Sequence, residues 1–204
     1  PSIDINKDIG QVEFNNTYID IHTDMIINLS SVDVDLVKNR NFTVVVDAVN
    51  STGGLAVPEL LKKLGVNVIE LYCNPNGEFP HNPEPLKENL KDLSKLVIKE
   101  KADLGIVVDP DVDRLAFVSE NGEVFGEEYT LVACADYFLK NNPGNTVSNL
   151  SSSRALKDVT ELNGCKHFFS AVGEVNVVEM MKEKNAVIGG EGNGGIILPE
   201  LHYG

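Results

Sequence analysis

The sequence is poor in positive charge and in cysteine. The first shortage bears on the partners of the protein, and the second on its cellular compartment. Its 204 residues include 17 Lys and Arg against 31 Asp and Glu, which gives a formal net charge of −14. We therefore exclude nucleic acid as a partner, because a phosphate backbone needs a basic binding surface. The three cysteines, Cys73, Cys134 and Cys165, are scattered without metal-ligand spacing. They predict ordinary reduced thiols in a cytoplasmic protein.

Long apolar segments are also missing. No apolar run approaches the roughly 18 residues of a membrane-spanning helix, and no basic segment followed by an apolar one forms a leader. We therefore expect neither membrane insertion nor secretion. The chain starts at Pro1 without a methionine and ends abruptly at Gly204, which suggests a piece of a longer protein.

What the sequence does contain is an alternation of strand-like and helix-like patterns. Runs of β-branched and other apolar residues predict strands over residues 42–47, 66–71, 103–108, 115–119, 146–150, 166–169, 186–188 and 196–198. Apolar residues at helical spacing predict helices over residues 14–29, 33–38, 55–64, 86–99, 127–139, 153–162 and 174–182. In the third of these helices Leu55, Leu60, Leu61 and Leu64 are expected to face inward, and Gly65 is expected to end it.

The turn Asn-Asn-Pro-Gly at residues 141–144 is the clearest boundary in the chain. Strand and helix alternate on both sides of it, which predicts an α/β protein of two consecutive three-layer α/β/α sandwich domains with mixed sheets. We assign residues 1–142 to the first domain, beginning with a linker over residues 1–10, and residues 143–204 to the second. The second domain is expected to be truncated, because no closing helix follows its last strand.

Three carboxylates at alternate positions follow one of the buried-strand patterns. They are Asp109, Asp111 and Asp113, and Arg114 comes directly after them. Carboxylates gathered near a core need a cation to offset their charge, and hard oxygen ligands suit Mg²⁺ or Ca²⁺. The planar donor group of Arg114 beside a cation suggests that an oxyanion such as phosphate completes the site.

Two other interpretations of these carboxylates remain open. The segment could be a solvated turn, or it could begin an EF-hand loop, since Glu120 falls at the twelfth position of such a loop. Against the EF-hand, Arg114 stands at the sixth position, where the sharp turn requires glycine, and the preceding residues have a strand pattern.

Other loops contain polar or glycine-rich segments that could have either a functional or a purely structural role. Residues 51–54, Ser-Thr-Gly-Gly, could hold a phosphate but lack the lysine of a P-loop, so a simple turn is favoured. The triplet 151–153 offers a serine nucleophile, but helix capping is favoured. His81 is expected to be a solvated or turn residue. Residues 189–195 place five glycines around Glu191 and Asn193, which indicates either a loop that clasps sugar hydroxyls or a flexible hairpin.

Taken together, these motifs resemble those of the α-D-phosphohexomutases, a family that includes phosphoglucomutase, phosphomannomutase and phosphoglucosamine mutase. The resemblance lies in Asp109-x-Asp-x-Asp-Arg114 and, further on, Gly190-Glu191-Gly-Asn193-Gly-Gly195. In the commoner form of the first motif, glycine stands where this chain has Pro110 and Val112. Supporting matches in the same order cover residues 46–50, 79–84, 103–106, 152–153 and 171–174.

The resemblance implies that the chain contains the second, metal-binding domain and most of the third, sugar-binding domain of a four-domain hexose-phosphate mutase. Such an enzyme interconverts sugar 1-phosphate and 6-phosphate through a phosphoserine and a bisphosphorylated intermediate. The first and fourth domains, with the phosphoserine, would be missing, so the chain alone is expected to be inactive. A non-enzymatic metal-binding or sugar-binding module remains the alternative.

The resemblance also assigns roles to individual residues. Mg²⁺ would be held by Asp109, Asp111 and Asp113, and Arg114 would be the catalytic residue near the phosphate. A hexose phosphate substrate would be bound by Glu191, Asn193, Gly173 and Glu174.

Overall fold

The computed structural model describes residues 12–203, so the linker predicted over residues 1–10 lies outside the described residues. The helices are α1 Tyr18–Ile27, α2 Val34–Arg40, α3 Gly53–Lys63, α4 Lys91–Glu100, α5 Glu127–Asn141, α6 Ala155–Leu162 and α7 Glu174–Lys184. The strands are β1 Thr43–Asp47, β2 Asn67–Leu71, β3 Leu104–Val108, β4 Leu115–Ser119, β5 Asn145–Asn149, β6 His167–Ser170, β7 Ala186–Gly190 and β8 Ile196–Ile197.

The first sheet has the strand order β2-β1-β3-β4. The first three strands are parallel, and β4 is antiparallel to β3. On one face, Val44 and Val46 of β1 pack with residues of α2 and α3. On the other face, Val45 packs with Leu93 and Val97 of α4. The alternation of β1 side chains between two helical layers makes this region a three-layer sandwich.

The second sheet repeats this plan with the strand order β6-β5-β7-β8. Strands β5, β6 and β7 are parallel, and β8 is antiparallel to β7. Ile188 of β7 packs on the side of α5 and α6, whereas Val147 of β5 packs with Val177 and Met181 of α7. The predicted fold class, an α/β protein with two mixed sheets, is therefore confirmed.

Local predictions differ from the structure where side chains override the apolar pattern. The helix predicted from residue 86 begins at Lys91. Before it, the side chain of Asn89 donates to the carbonyl oxygen of Glu84 at 2.8 Å and stabilises a turn instead. Leu55 was predicted to face inward but is 49% exposed, and the buried side chain of that helix is Pro58. Gly65, with φ of 76°, follows the end of α3 as expected.

Helix α5, which the sequence assigned to the first domain, packs its buried face in the core of the second sheet. Leu131, Ala135 and Leu139 of α5 cluster there with Leu156 of α6 and Ile188 of β7. The division of the chain at residue 142 stays a prediction, but the apolar core of the second sheet begins upstream of it.

The topology brings the carboxyl ends of the parallel strands to the edge where ligands bind in open α/β sheets. Asp109 follows β3, Asn149 ends β5 and Glu191 follows β7. Within residues 12–203, no helix is long and apolar enough to cross a membrane.

Candidate functional site

The acidic loop, residues 109–114, gathers its three carboxylates at one point. One oxygen from each of Asp109, Asp111 and Asp113 lies within 4.8 Å of the others. Asp109 is buried with 5% exposure, whereas the other two are exposed. The loop connects strand β3 to strand β4, so it lacks the flanking helices of an EF-hand, and that alternative is wrong.

The charge of this cluster fits a divalent cation. Burial, together with the neighbouring carboxylates Asp113 and Asp111, raises the pKa of Asp109 to about 7, against the effect of a hydrogen bond from the Arg114 backbone. The Arg114 guanidinium, with its Nε 3.8 Å from Asp109 Oδ2, does not offset the effects of burial and of the neighbouring carboxylates. The three residues offer hard oxygen donors, which suit Mg²⁺, and a cation held there would supply the missing charge.

Arg114 is held at the rim of the acidic loop by acidic partners. Its backbone N–H donates to Asp109 Oδ1 at 3.1 Å, and its Nη1 pairs with Glu84. Its Nε lies 3.8 Å from Asp109 Oδ2 and 3.7 Å from Asp113 Oδ1. This Nε is buried and faces the two carboxylates without donating a hydrogen bond to either.

The backbone of the acidic loop includes a residue in an uncommon conformation. Val112 has φ of 63°, in the left-handed region that β-branched residues rarely adopt. In the α-D-phosphohexomutases, which the sequence motifs resemble, glycine is commoner at this position. The carbonyl oxygen of Pro110 accepts from Ser51 Oγ at 2.7 Å and from Thr52 Oγ1 at 3.1 Å. The turn at residues 51–54 therefore braces the acidic loop.

The glycine-rich loop, residues 189–195, contacts the acidic loop directly. The carbonyl oxygen of Gly194 accepts from the backbone N–H of Leu115 at 3.2 Å. Gly194 has φ of 98°, and a Cβ added there would overlap the backbone oxygen of Leu115. Only glycine fits both the conformation and the close approach, so the glycine-rich loop is packed against the acidic loop at this point.

Glu191 is held by donors from two neighbouring loops. Its Oε1 accepts from the backbone N–H of Gly173 at 3.2 Å and from Asn149 Nδ2. Its Oε2 lies 3.5 Å from Asn193 Nδ2, and Asn193 Oδ1 in turn accepts from the backbone N–H of Gly195 at 3.1 Å. These contacts fix the carboxylate, with Oε1 fully used and Oε2 facing Asn193.

A cleft of about 290 Å³ brings the two sets of predicted residues together. Asp111, Asp113 and Arg114 line one side of it, and Glu174, Glu191 and Asn193 line the other. A second cavity of about 360 Å³ adjoins it across Arg114, Glu191 and Asn193. Gly173 lines this second cavity.

Several residues of the site were not singled out from the sequence. Asn149 is 2% exposed, and its Oδ1 accepts from Ser152 Oγ at 2.7 Å while its amide holds Glu191. Ser152 Oγ also accepts from the backbone N–H of Gly192 at 2.9 Å. The available signal was weak: an asparagine at the end of a strand, directly before a serine triplet.

Two loop interpretations can now be compared with the structure. Ser153 Oγ accepts from the backbone N–H of Ala155, the first residue of α6, at 3.3 Å. The N-cap of α6 is Arg154, whose side chain makes no capping hydrogen bond, so the predicted serine N-cap is wrong. His81 was expected to be a solvated or turn residue, and it lies in a bend between β2 and α4, but its ring is mostly enclosed. Its side chain is 14% exposed, and Nε2 lies 3.0 Å from Oδ2 of the buried Asp47.

Comparison with known proteins covers nearly all of the chain. Residues 20–122 match the family domain described as phosphoglucomutase/phosphomannomutase, α/β/α domain II. Residues 126–204 match α/β/α domain III of the same description.

Individual relatives extend the match. A phosphoglucomutase/phosphomannomutase of Thermococcus kodakarensis is 40% identical over 85% of this chain and 38% of its own length. A protein of Methanopyrus kandleri named "Probable phosphoglucosamine mutase" is 35% identical over 95% of this chain and 42% of its own length. The crystal structure of a phosphoglucomutase/phosphomannomutase family protein from Burkholderia thailandensis superimposes with a TM-score of 0.79 at 28% identity, covering 91% of this chain and 40% of that one. The chain thus spans about two fifths of the length of these relatives.

Proposed function

The chain belongs to the phosphoglucomutase/phosphomannomutase family, and we propose that it forms the metal-binding and sugar-binding parts of a hexose-phosphate mutase. The family resemblance seen in the sequence motifs is thereby confirmed. The proposed reaction interconverts a hexose 1-phosphate and a hexose 6-phosphate through a phosphoserine and a bisphosphorylated sugar. Because this chain spans 38% and 42% of two relatives, we place the phosphoserine and the holder of the distal phosphate in other domains of the whole protein.

The cleft between the acidic loop and the glycine-rich loop carries the proposal. It places the carboxylates of Asp111 and Asp113 and the guanidinium of Arg114 opposite a second set of polar residues, Glu174, Glu191 and Asn193. A phosphosugar has two ends of different chemistry, a phosphoryl group and a ring of hydroxyls, and each side of the cleft suits one of them.

On the phosphate side, Asp109, Asp111 and Asp113 would hold Mg²⁺. When bound, the cation would offset negative charge on the phosphoryl group during transfer. Arg114 would donate from its guanidinium to a phosphate oxygen, since Glu84 occupies only Nη1. Phosphoryl transfer depends on such alignment and charge neutralisation more than on covalent chemistry by the protein.

On the sugar side, Glu191 would accept hydrogen bonds from sugar hydroxyls through Oε2, because Oε1 is already bound by two donors. Asn193 Nδ2, beside that oxygen, would donate to a neighbouring hydroxyl. Gly173 would act through Glu191, to which its N–H donates, and Glu174 would face the same cleft.

The test is an assay of the full-length protein with the 1-phosphates of glucose, mannose and glucosamine in the presence of Mg²⁺. Glucosamine 1-phosphate belongs in the set because of the relative from Methanopyrus kandleri. We expect turnover of at least one sugar phosphate, and a Glu191→Gln variant should lower kcat/KM by about 10- to 100-fold, the loss of a charge-assisted hydrogen bond.

Glu161→Gln serves as the matched control, since Glu161 is exposed on α6. It should retain full activity. Sugar binding by the full-length protein without turnover of any of the three substrates would favour a non-enzymatic module. Full activity of Glu191→Gln would remove the sugar-binding role of the glycine-rich loop.

A further inference from the structure

His81 lies in the segment between β2 and α4, residues 72–90, and its ring is fixed at both nitrogens. Nδ1 lies 2.7 Å from the carbonyl oxygen of Asn82, and Nε2 lies 3.0 Å from Oδ2 of Asp47. Asp47 ends β1 and is 1% exposed. The segment is therefore tied to the first sheet by a buried pair that the proposed reaction does not use.

The partners of the ring determine how many protons the pair holds. A carbonyl oxygen can only accept, so the Nδ1 of His81 must carry a proton and donate it to Asn82. A hydrogen bond between Nε2 and Asp47 then needs a second proton, either on the ring or on the carboxyl group. The pair thus holds one proton more than a neutral imidazole and a carboxylate would.

The surroundings of the pair favour a bound proton over a bare carboxylate. Burial raises the pKa of Asp47, against the effects of a hydrogen bond from the Val49 N–H and of His81. The ring of Tyr72 meets His81 edge-on at 5.8 Å between centroids, and its hydroxyl donates to Asp92 of α4 at 3.1 Å. Asp92 also pairs with Lys95 at 3.4 Å. The charges facing the pair are therefore Asp92 and, beyond it, Lys95.

Three residues after His81, the same segment reaches the candidate site. Glu84 pairs with Nη1 of Arg114. The next residue, Pro85, is buried, whereas Glu84 itself is exposed. Without Glu84, the charged partners left to the Arg114 guanidinium are Asp109 and Asp113, at 3.8 and 3.7 Å from Nε.

We propose that Asp47 and His81 are positioning residues for Arg114. Their hydrogen bond fixes residues 81–84 on the first sheet, so that Glu84 holds the guanidinium at the rim of the cleft. The use of this placement in catalysis rests on the proposed function, whereas the placement itself is a property of this chain and can be measured without turnover.

The experiment follows the Arg114 Nε–H by NMR in the chain as it exists, recording its rate of exchange with solvent. His81→Ala should speed this exchange about tenfold, the factor that corresponds to ~1.4 kcal/mol of lost anchoring. Glu84→Gln should have an effect of similar size. If His81 acts through Glu84, the double variant should show no more than the effect of Glu84→Gln alone.

Two further variants separate positioning from general loss of structure. In Asp47→Asn the amide nitrogen can donate to Nε2 of neutral His81 while Oδ1 still accepts from Val49, so exchange at Arg114 should remain unchanged. Tyr72→Phe removes the bond to Asp92 but keeps the ring against His81, and should also leave Arg114 unchanged. Asp47→Ala breaks the pair from the β1 side and should reproduce the effect of His81→Ala.

The proposal is overturned if His81→Ala and Asp47→Ala leave Arg114 exchange unchanged. It is equally overturned if His81→Ala has its full effect in the Glu84→Gln background, or if Asp47→Asn disturbs Arg114 as much as Asp47→Ala. All three outcomes are independent of whether the full-length protein is a mutase.

Discussion

The two sheets share one strand order, and the same position in each carries a loop of opposite character. The acidic loop follows β3 and leads to the antiparallel strand β4, and the glycine-rich loop follows β7 and leads to the antiparallel strand β8. The first loop gathers three carboxylates whose charge nothing nearby fully offsets. The second holds a single carboxylate, Glu191, with two donors on one oxygen. The same position in the two sheets thus carries a loop whose carboxylates lack compensating charge and a loop whose carboxylate accepts hydrogen bonds from the chain itself.

The largest expected effect concerns the contact that joins the two loops. Gly194→Ala should lower the free energy of unfolding by about 3–5 kcal/mol, because it adds a left-handed strain of ~1–2 kcal/mol to an overlap with Leu115 that costs a few more. Gly77→Ala is the matched control. Gly77 has φ of 77°, but a Cβ there would meet nothing within 4 Å.

Urea unfolding of the two variants measures the difference. Gly77→Ala should cost only the backbone strain, about 1–2 kcal/mol. Equal losses in the two variants would mean that the close approach of Gly194 to β4 contributes nothing, and that the two loops are independent.

The next effect tests whether the acidic loop is completed by a cation. Asp111→Asn should weaken binding of Mn²⁺ to the chain by roughly 100-fold, since the cation loses one of three charged ligands. Paramagnetic broadening of NMR signals from residues 109–114 follows the binding. Glu120→Gln is the control, because Glu120 would be a ligand only in the EF-hand alternative and lies outside the cluster.

Two contrary results are possible for this metal site. Unchanged Mn²⁺ binding by the Asp111→Asn variant would favour the interpretation of the acidic loop as a solvated turn. A loss in Glu120→Gln of similar size would mean that the ligands extend beyond the three aspartates.

A smaller effect is expected from removing the serine hydroxyl group that contacts each loop. Ser51 follows β1 and contacts the acidic loop, and Ser152 follows β5 and contacts the glycine-rich loop. Ser152 Oγ accepts from the Gly192 N–H and donates to the buried Asn149. Ser51 Oγ donates to the Pro110 carbonyl, which Thr52 also contacts. Ser152→Ala should therefore cost about 1.5 kcal/mol of stability and Ser51→Ala about half of that, because Thr52 retains the second bond. Thermal unfolding of both variants measures these losses of stability. Equal losses would mean that Thr52 does not compensate for the hydrogen bond of Ser51.

Much of the fold could be predicted because the strands here are apolar and the turns carry clear signals. The alternation of Val44, Val45 and Val46 between two cores fits a strand buried on both faces, and Gly65 ends its helix as glycine does. Two features could not be read from the local apolar pattern. The start of α4 depends on the hydrogen bond from Asn89, and the side on which α5 packs depends on a partner sheet that its own sequence does not identify.

The candidate site could be predicted only for residues whose chemistry is locally concentrated. Three aspartates in six residues and five glycines in seven are visible as patterns. Asn149 and Glu84 are not, because their importance comes from contacts with Glu191 and Arg114 that are distant in sequence. The enclosure of the His81 ring could not be predicted for the same reason: its partner Asp47 lies 34 positions away.

The smallest expected effect is a change of stability with pH that comes from His167. This histidine lies in the second sheet, and His81 is its counterpart beside the first sheet. His81 faces a carboxylate, whereas His167 of β6 faces hydroxyl groups: its Nδ1 lies 2.8 Å from Thr146 Oγ1 and its Nε2 lies 3.2 Å from Ser148 Oγ. Thr160 donates to a backbone carbonyl, so Thr146 donates to Thr160 and accepts from the ring. The network therefore assigns the proton of neutral His167 to Nδ1, and Nε2 accepts from Ser148.

Burial, with a smaller contribution from Lys157, lowers the pKa of His167 from 6.5 to about 4. Between these values the unfolded chain binds a proton that the folded chain does not, so stability should be full above pH 6.5 and fall as the pH decreases. From pH 7 to pH 5.5 the loss from His167 should be about 1 kcal/mol. A His167→Gln variant lacks this titration but keeps that of Asp109, so the original chain should lose about 1 kcal/mol more than the variant. Urea unfolding followed on NMR signals of β5, at both pH values, measures the two slopes. Parallel slopes would mean that His167 is protonated in the folded state as readily as in the unfolded chain, and that the hydroxyl network does not keep it neutral.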